Sequence, residues 1–241
     1  MAARAFYHEH PDILTMETEV VDAAPGRVLL AQSPLYPGGG GQLADRGVLR
    51  WTHGEHAVTG FETSGGRTWI LLDDPAVAPS GPVEAVVDAG FRQMMRELHT
   101  DTHILNALVF QSFDGALVTG VQMNEDGTAR MDFDLPDADN DRLRALEGPI
   151  NDTIRRGLAV RDDYVPLDDA YDEPGLIRSK SVAPPPTRDG RIRIVEIVGL
   201  DRQACGGTHL GSTEASRPVR ILKIDNKGRH NRRVRIGLVD A

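Results

Sequence analysis

The hydrophobic pattern of the chain changes character near residue 90. From Thr15 to about Asp88, short apolar or alternating segments such as TMETEVVD, GRVLLAQS, RTWILLDD and GPVEAVVD are separated by Gly, Pro and Asp. Segments of that length, bounded by turn-forming residues, predict strands of a small β-barrel or sandwich. Beyond Gly90 the period lengthens. FRQMMRELHTDTHILNALVFQSF places Met94, Met95, Leu98, Leu105 and Leu108 at helical spacings, with Asp88 positioned to cap the N-terminus.

After this helix, LVTGVQM and TARMDFDL predict two strands joined by a turn at Asn124 to Gly127. A second amphipathic helix is expected with Leu143, Leu146, Ile150, Ile154 and Leu158 on one stripe and Gly157 near its end. IRIVEIV, PVRILKID and RRVRIGLV predict further strands, and Lys180 to Arg191, with Pro184, Pro185 and Pro186, predicts an extended loop. No internal repeat is present. The simplest account is an all-β domain over residues 1–90 and an α+β domain over residues 91–241.

Composition narrows the function classes. The formal net charge of -9 argues against broad affinity for nucleic acid, because phosphate binding needs a positive surface. One segment is the exception: Arg220, Lys223, Lys227, Arg229, Arg232, Arg233 and Arg235 face only Asp225 in sequence, which predicts one localised anionic contact. No apolar run approaches the roughly 18 to 20 residues of a membrane helix, and the polar start does not suit a signal peptide. A cytoplasmic protein with no membrane partner is expected. A single cysteine, with no intrachain disulfide open to it, fits a reducing compartment.

That cysteine also belongs to a candidate metal site. His99 and His103 are four apart in the predicted helix, so their side chains lie about 40° from one another on one face. Cys205-Gly206-Gly207-Thr208-His209 is a CxxxH unit whose glycines let the backbone fold a thiolate and an imidazole towards one point. Each pair alone is merely suggestive. Together they supply four donors of the kinds and number that zinc prefers, which predicts one tetrahedral Zn2+ per chain. The remaining histidines, His8, His10, His53, His56 and His230, are expected to be solvated, His230 being the one placed among arginines.

Pro37-Gly38-Gly39-Gly40-Gly41-Gln42 is followed by Asp45 and Gly47. It lacks the GK[ST] ending of a P-loop and opens no helix as a dinucleotide fingerprint would. It reads as a hairpin turn or as a loop that lets backbone approach a ligand while Gln42 offers a donor and an acceptor. GGGGQLADRG, HTDTH on a helix and RQACGGTH followed by NKGRHNRRVRIGL, in that order, resemble the trans-acting alanyl-tRNA editing proteins of medium length. Those are freestanding relatives of the alanyl-tRNA synthetase editing domain. Asp101 departs from the usual family wording, in which a small apolar residue is frequent. It points about 200° from His99 and is expected outside the site.

The resemblance implies a translation-protein-like β-barrel joined to an α+β editing domain with zinc at His99, His103, Cys205 and His209. It implies hydrolysis of tRNA(Ala) wrongly charged with serine, in some members glycine, at the acceptor end. With no ATP-binding aminoacylation domain, charging of tRNA is not expected. Gln42 would help recognise the serine hydroxyl, and Thr100 or Thr102, beside the His pair, would hold water or substrate unless it packs within the helix. Lys227, Arg229, Arg232 and Arg233 would meet acceptor-stem phosphates, though adjacent strand residues face opposite ways. Two rival readings remain at this point. One is a zinc-stabilised tRNA-binding module without catalysis, and the other is a zinc hydrolase of small esters or peptides, which the absence of HExxH disfavours.

Overall fold

The computed structural model describes residues 4–52, 54–136, 139–178, 186–187 and 189–239. His53, Ser179 and most of the expected proline-rich loop, residues 180–185 and 188, lie outside the described residues. The chain is mixed α and β. It divides into two compact units, one of Ala3–Gly39 with Leu43–Gln93, the other of Gly40–Gln42 with Met94–Ala241.

In the first unit a short helix α1 (Phe6–Glu9) precedes six antiparallel strands, β1 (Thr15–Ala24), β2 (Arg27–Leu30), β3 (Gly47–Trp51), β4 (Gly54–Ser64), β5 (Arg67–Leu72) and β6 (Pro82–Val87). They close a barrel in the order β1-β2-β5-β4-β3-β6, which leaves no open sheet edge. Its interior is Val28, Leu35, Leu49, Val58, Ile70, Leu72, Ala85 and Val87. Val28, Ile70, Leu72, Ala85 and Val87 come from the apolar segments, Leu49 and Val58 from β3 and β4, and Leu35 from the stretch between β2 and β3. His56 departs from the solvated state expected of it, since it stacks on Trp51 at 5.2 Å and bonds Asp73 at 2.9 Å.

The glycine loop springs from this barrel. Its base is closed by Asp45, whose amide donates to Tyr36 O (2.9 Å) and whose carboxylate accepts from Tyr36 N (2.6 Å). Arg92 pairs with the same carboxylate and donates to Pro34 O at 2.7 Å. Both charges are buried, so each depends on the other for compensation.

Helix α2 (Ala89–Ser112) begins with Asp88 Oδ1 accepting from Phe91 N at 3.0 Å, the expected cap. In the second unit, β7 (Val118–Met123) and β8 (Thr128–Asp134) form the expected hairpin. With β12 (Val219–Lys227) and β13 (Asn231–Leu238) they make a sheet in the order β12-β13-β8-β7. The expected second helix is instead two, α3 (Asn140–Arg144) and α4 (Glu147–Arg155), and Leu158 lies beyond both. Pro149 explains the break: it has no N–H to donate to Ala145, and its ring clashes with that carbonyl in a continuous helix. Strands β9 (Val160–Pro166), β10 (Arg191–Ile197) and β11 (Asp201–Ala204) form a second sheet, with α5 (Leu167–Asp172) after β9. Of these only β10 is plain in the hydrophobic pattern.

Candidate functional site

Helix α2 and the bend after β11 converge. His99 and His103 lie on one face of α2, Cys205 and His209 on the CGGTH bend, and their four ligand atoms all lie within 4.8 Å of one another. Cys205 Sγ is 3.3 Å from both His99 Nε2 and His209 Nε2. Donors about 2.0 to 2.3 Å from a shared ion stand roughly 3.5 Å apart in a tetrahedron, so this spacing suits a metal. Gly207 makes the convergence possible, because a Cβ there would stand 1.9 Å from His99 Cε1.

The electrostatics also fit a metal. All four donors are buried, and burial holds both imidazoles of α2 in the neutral form. His99 is pushed well below the ordinary histidine value, and His103 is pushed down to about 3, each by burial first and then by nearby positive charge. Burial likewise raises the Cys205 thiol, against the pull of the Arg193 guanidinium and a backbone N–H from Gly207. A buried cluster of imidazoles and a thiol whose lone pairs converge in this way could hold a metal ion.

Several side chains hold the donors in orientation. Gln42 Oε1 accepts from Thr208 N at 2.9 Å, which identifies that atom as the amide oxygen. His99 Nδ1, 2.8 Å from the same oxygen, must therefore carry a proton, leaving the lone pair on Nε2 towards Cys205. Gln42 Nε2 donates to Thr208 Oγ1 at 2.8 Å. The loop tip is seated by Met123 N, which donates to Gly41 O at 2.8 Å. Gly41 (φ +85°) passes so close to β7 that a Cβ would stand 2.6 Å from Val121 O.

Thr100 Oγ1 lies 3.3 Å from His209 Nδ1 and accepts from Leu210 N, while Arg96 donates to His209 O at 2.6 Å. Thr102 turns back along the helix and donates to His99 O at 2.8 Å. Arg193 Nη1 donates to Cys205 O (3.1 Å) and Gly207 O (2.8 Å), and its Nε donates to Asp162 (2.9 Å). Arg193, Arg96 and Thr208 have no signal of their own in the sequence. Arg193 sits inside an otherwise ordinary strand, and what calls for it is the buried carbonyls of the bend together with Asp162. Asp101 is buried away from the cluster, with Oδ2 accepting from Ser216 Oγ at 2.9 Å.

The basic segment is sorted by strand geometry. Lys227 and Arg229 are exposed at the end of the β12–β13 hairpin. Arg232 and Arg233 face opposite sides of β13: Arg232 is 8% exposed with Nε unpartnered, and Arg233 is bound by both guanidinium ends to Asp132 at 2.7 and 2.8 Å. Asp132 on β8 also holds Arg130 at 2.8 Å, an acidic neighbour that the local sequence does not announce.

Residues 192–235 match the family model of the threonyl and alanyl tRNA synthetase second additional domain. The chain is 31% identical to the alanyl-tRNA editing protein AlaX-M of Saccharolobus solfataricus over 226 residues, covering 92% of this chain and 93% of that protein. It is 34% identical to the AlaX-M protein of Methanosarcina barkeri over 220 residues, covering 88% and 89%. It is also 30% identical to the alanine–tRNA ligase of Korarchaeum cryptofilum over 224 residues, which are 91% of this chain but 24% of the ligase. On the similarities to the two AlaX-M proteins, which span nearly the whole length of this chain and of those proteins, the protein belongs to the AlaX-M family of alanyl-tRNA editing proteins.

Proposed function

We propose that the chain is an aminoacyl-tRNA deacylase that hydrolyses Ser-tRNA(Ala) at a zinc site formed by His99, His103, Cys205 and His209. The observation that carries this is the buried four-donor cluster whose His99 tautomer is set by Gln42, in a chain related end to end to alanyl-tRNA editing proteins. The thiol and imidazole donors favour zinc over harder cations. Zinc, when bound, supplies fixed positive charge and Lewis acidity beside the scissile ester. Four protein donors already fill a tetrahedron, which favours a role for the ion in positioning the site.

The chain's own groups then have distinct work. Gln42 spends its oxygen on His99 and Thr208 and one amide hydrogen on the Thr208 hydroxyl, which leaves its second amide hydrogen for a substrate hydroxyl. Thr208, with Oγ1 accepting from Gln42, keeps its own hydroxyl hydrogen to donate. A polar pair of this kind discriminates serine from alanine, because an unmatched buried donor is costly, and selectivities of roughly 10⁴ are attainable in such sites. Thr100 holds His209 and Leu210, and Thr102, its hydrogen spent on His99 O, keeps lone pairs with which to accept from a water. The exposed Lys227 and Arg229, with Arg232, would meet the acceptor end of tRNA(Ala), while Arg233, tied to Asp132, steadies the strand that carries them.

Deacylation time courses with Ser-tRNA(Ala), Gly-tRNA(Ala) and Ala-tRNA(Ala) test the reading. The intact protein should clear the serine ester fastest and spare the alanine ester, and Cys205→Ala should fall to background. Background rates for the intact protein on all three would instead mark a zinc-stabilised tRNA-binding module.

A further inference from the structure

The donors are braced on one side by Gln42, Thr100 and Arg96. A second group of buried polar side chains, unrelated to those, lies further along α2. Asn106 is one helical turn beyond His103 and therefore on the same face. Its Nδ2 donates to Gln203 Oε1 at 2.8 Å. Gln203 lies on β11, two residues before Cys205, and its Nε2 donates in turn to Asp201 Oδ2. Asp201 Oδ1 faces Arg178 Nη1 at 2.6 Å. Arg178 is anchored by Gly175 O at 2.7 Å and lies over the Phe110 ring, 4.0 Å from its centre.

The direction of this chain is fixed from its outer end. Arg178 stands beside Asp201 as an ion-pair partner, without an aligned hydrogen bond between Nη1 and Oδ1, and its charge favours Asp201 as an acceptor. Asp201 Oδ2 then has Gln203 present its amide hydrogen outward and its oxygen inward, and that oxygen fixes the Asn106 amide in turn. The inner end is Asn106 Oδ1, a buried acceptor with no partner among the described residues. Asn106, Gln203 and Asp201 are all at least nine-tenths buried. Burying three polar side chains and an ion pair is costly unless their bonds are fully made, so the arrangement contributes little to stability compared with an apolar packing of the same volume. What it does is tie, by one hydrogen bond, the helix that carries two donors to the strand that delivers the other two.

We infer that Asn106 and Gln203, oriented by the Arg178–Asp201 pair, are positioning residues that hold α2 and the CGGTH bend in the register at which the four donors can share one ion. This rests on the reading of the cluster as a metal site. Side chains that orient ligands from behind typically change metal affinity by about 10- to 100-fold when removed.

The test is the rate at which a chelator strips metal from the folded protein, together with the visible spectrum of the cobalt-substituted form. Asn106→Leu and Gln203→Met keep the number of side-chain heavy atoms and remove the bond. Each should speed metal loss by at least about 10-fold and shift the cobalt bands, and the double variant should be no faster than the faster single, as expected for two members of one connection. Arg178→Gln, at the outer end of the connection and with Asn106 and Gln203 themselves unchanged, should speed metal loss in the same direction. Rates within two-fold of wild type in all three, or a double variant whose effect is the product of the singles, would overturn the inference. Failure of the underlying metal reading gives a different result, namely a wild-type protein that holds no stoichiometric metal at all.

Discussion

Gln42 Oε1 stands 2.8 Å from His99 Nδ1, and the same oxygen accepts from Thr208 N. A residue of the glycine loop thus sets both the tautomer of one donor and the path of the bend that carries two others. Removing it should be felt twice. Gln42→Ala is expected to weaken metal binding by about 10- to 100-fold in chelator competition and to narrow the difference between Ser-tRNA(Ala) and Ala-tRNA(Ala) deacylation. Unchanged selectivity with weakened metal binding would assign Gln42 to the donors alone.

Gly207 is required by a steric argument that does not depend on chemistry. An added Cβ would fall 1.9 Å from His99 Cε1 and 2.8 Å from Gln42 Oε1, and neither side chain can withdraw without giving up its bond. Gly207→Ala should therefore fold but lose the site, with metal affinity down by more than about 100-fold by elemental analysis after dialysis. Stoichiometric retention of metal would mean that the bend can open without cost.

Asp101 predicts a pH dependence of stability. Burial holds its carboxyl well above the usual carboxylate value, and Glu97 adds to the shift while Ser216 opposes it. The native state thus keeps a proton that the unfolded chain releases above about pH 4. Stability from this group is fully present below that value and is lost as pH rises towards the native value. Asp101→Asn removes the ionisation, so it should raise stability at neutral pH by about 1 to 3 kcal/mol in urea unfolding and flatten the fall on the alkaline side. A less stable variant at pH 7 would show that the carboxylate is charged and compensated in the fold.

The hairpin end offers the sharpest test of tRNA contact. Lys227→Ala and Arg229→Ala should each reduce the slope of log affinity against log salt by about 1, equally for all tRNA sequences. Arg233→Gln should act differently. It removes the two-point partner of Asp132 and leaves only Arg130 to compensate that carboxylate, so thermal stability should fall before the salt slope changes. Unchanged slopes in both exposed variants would move the contact elsewhere.

The four donors were legible because chemistry-bearing residues at i, i+4 and in a CxxxH unit with glycines have few other reasons to occur together. Four of the six barrel strands, β1, β2, β5 and β6, were foreshadowed by short apolar segments, while β3 and β4 were obscured by polar residues, and α3 and α4 were merged because apolar periodicity ignores the missing N–H of Pro149. What the sequence by itself determined was therefore everything carried by local periodicity or by residue type at fixed spacing. Tertiary structure alone decided that Gln42 meets His99, that Arg193 caps the carbonyls of the bend, that Asn106 meets Gln203 across 97 residues, and that Asp132 rather than solvent receives Arg233. Those pairings have a physical reason for being illegible: a hydrogen bond or ion pair between distant residues is specified by where two backbones are brought together, and neither partner's own neighbourhood records it.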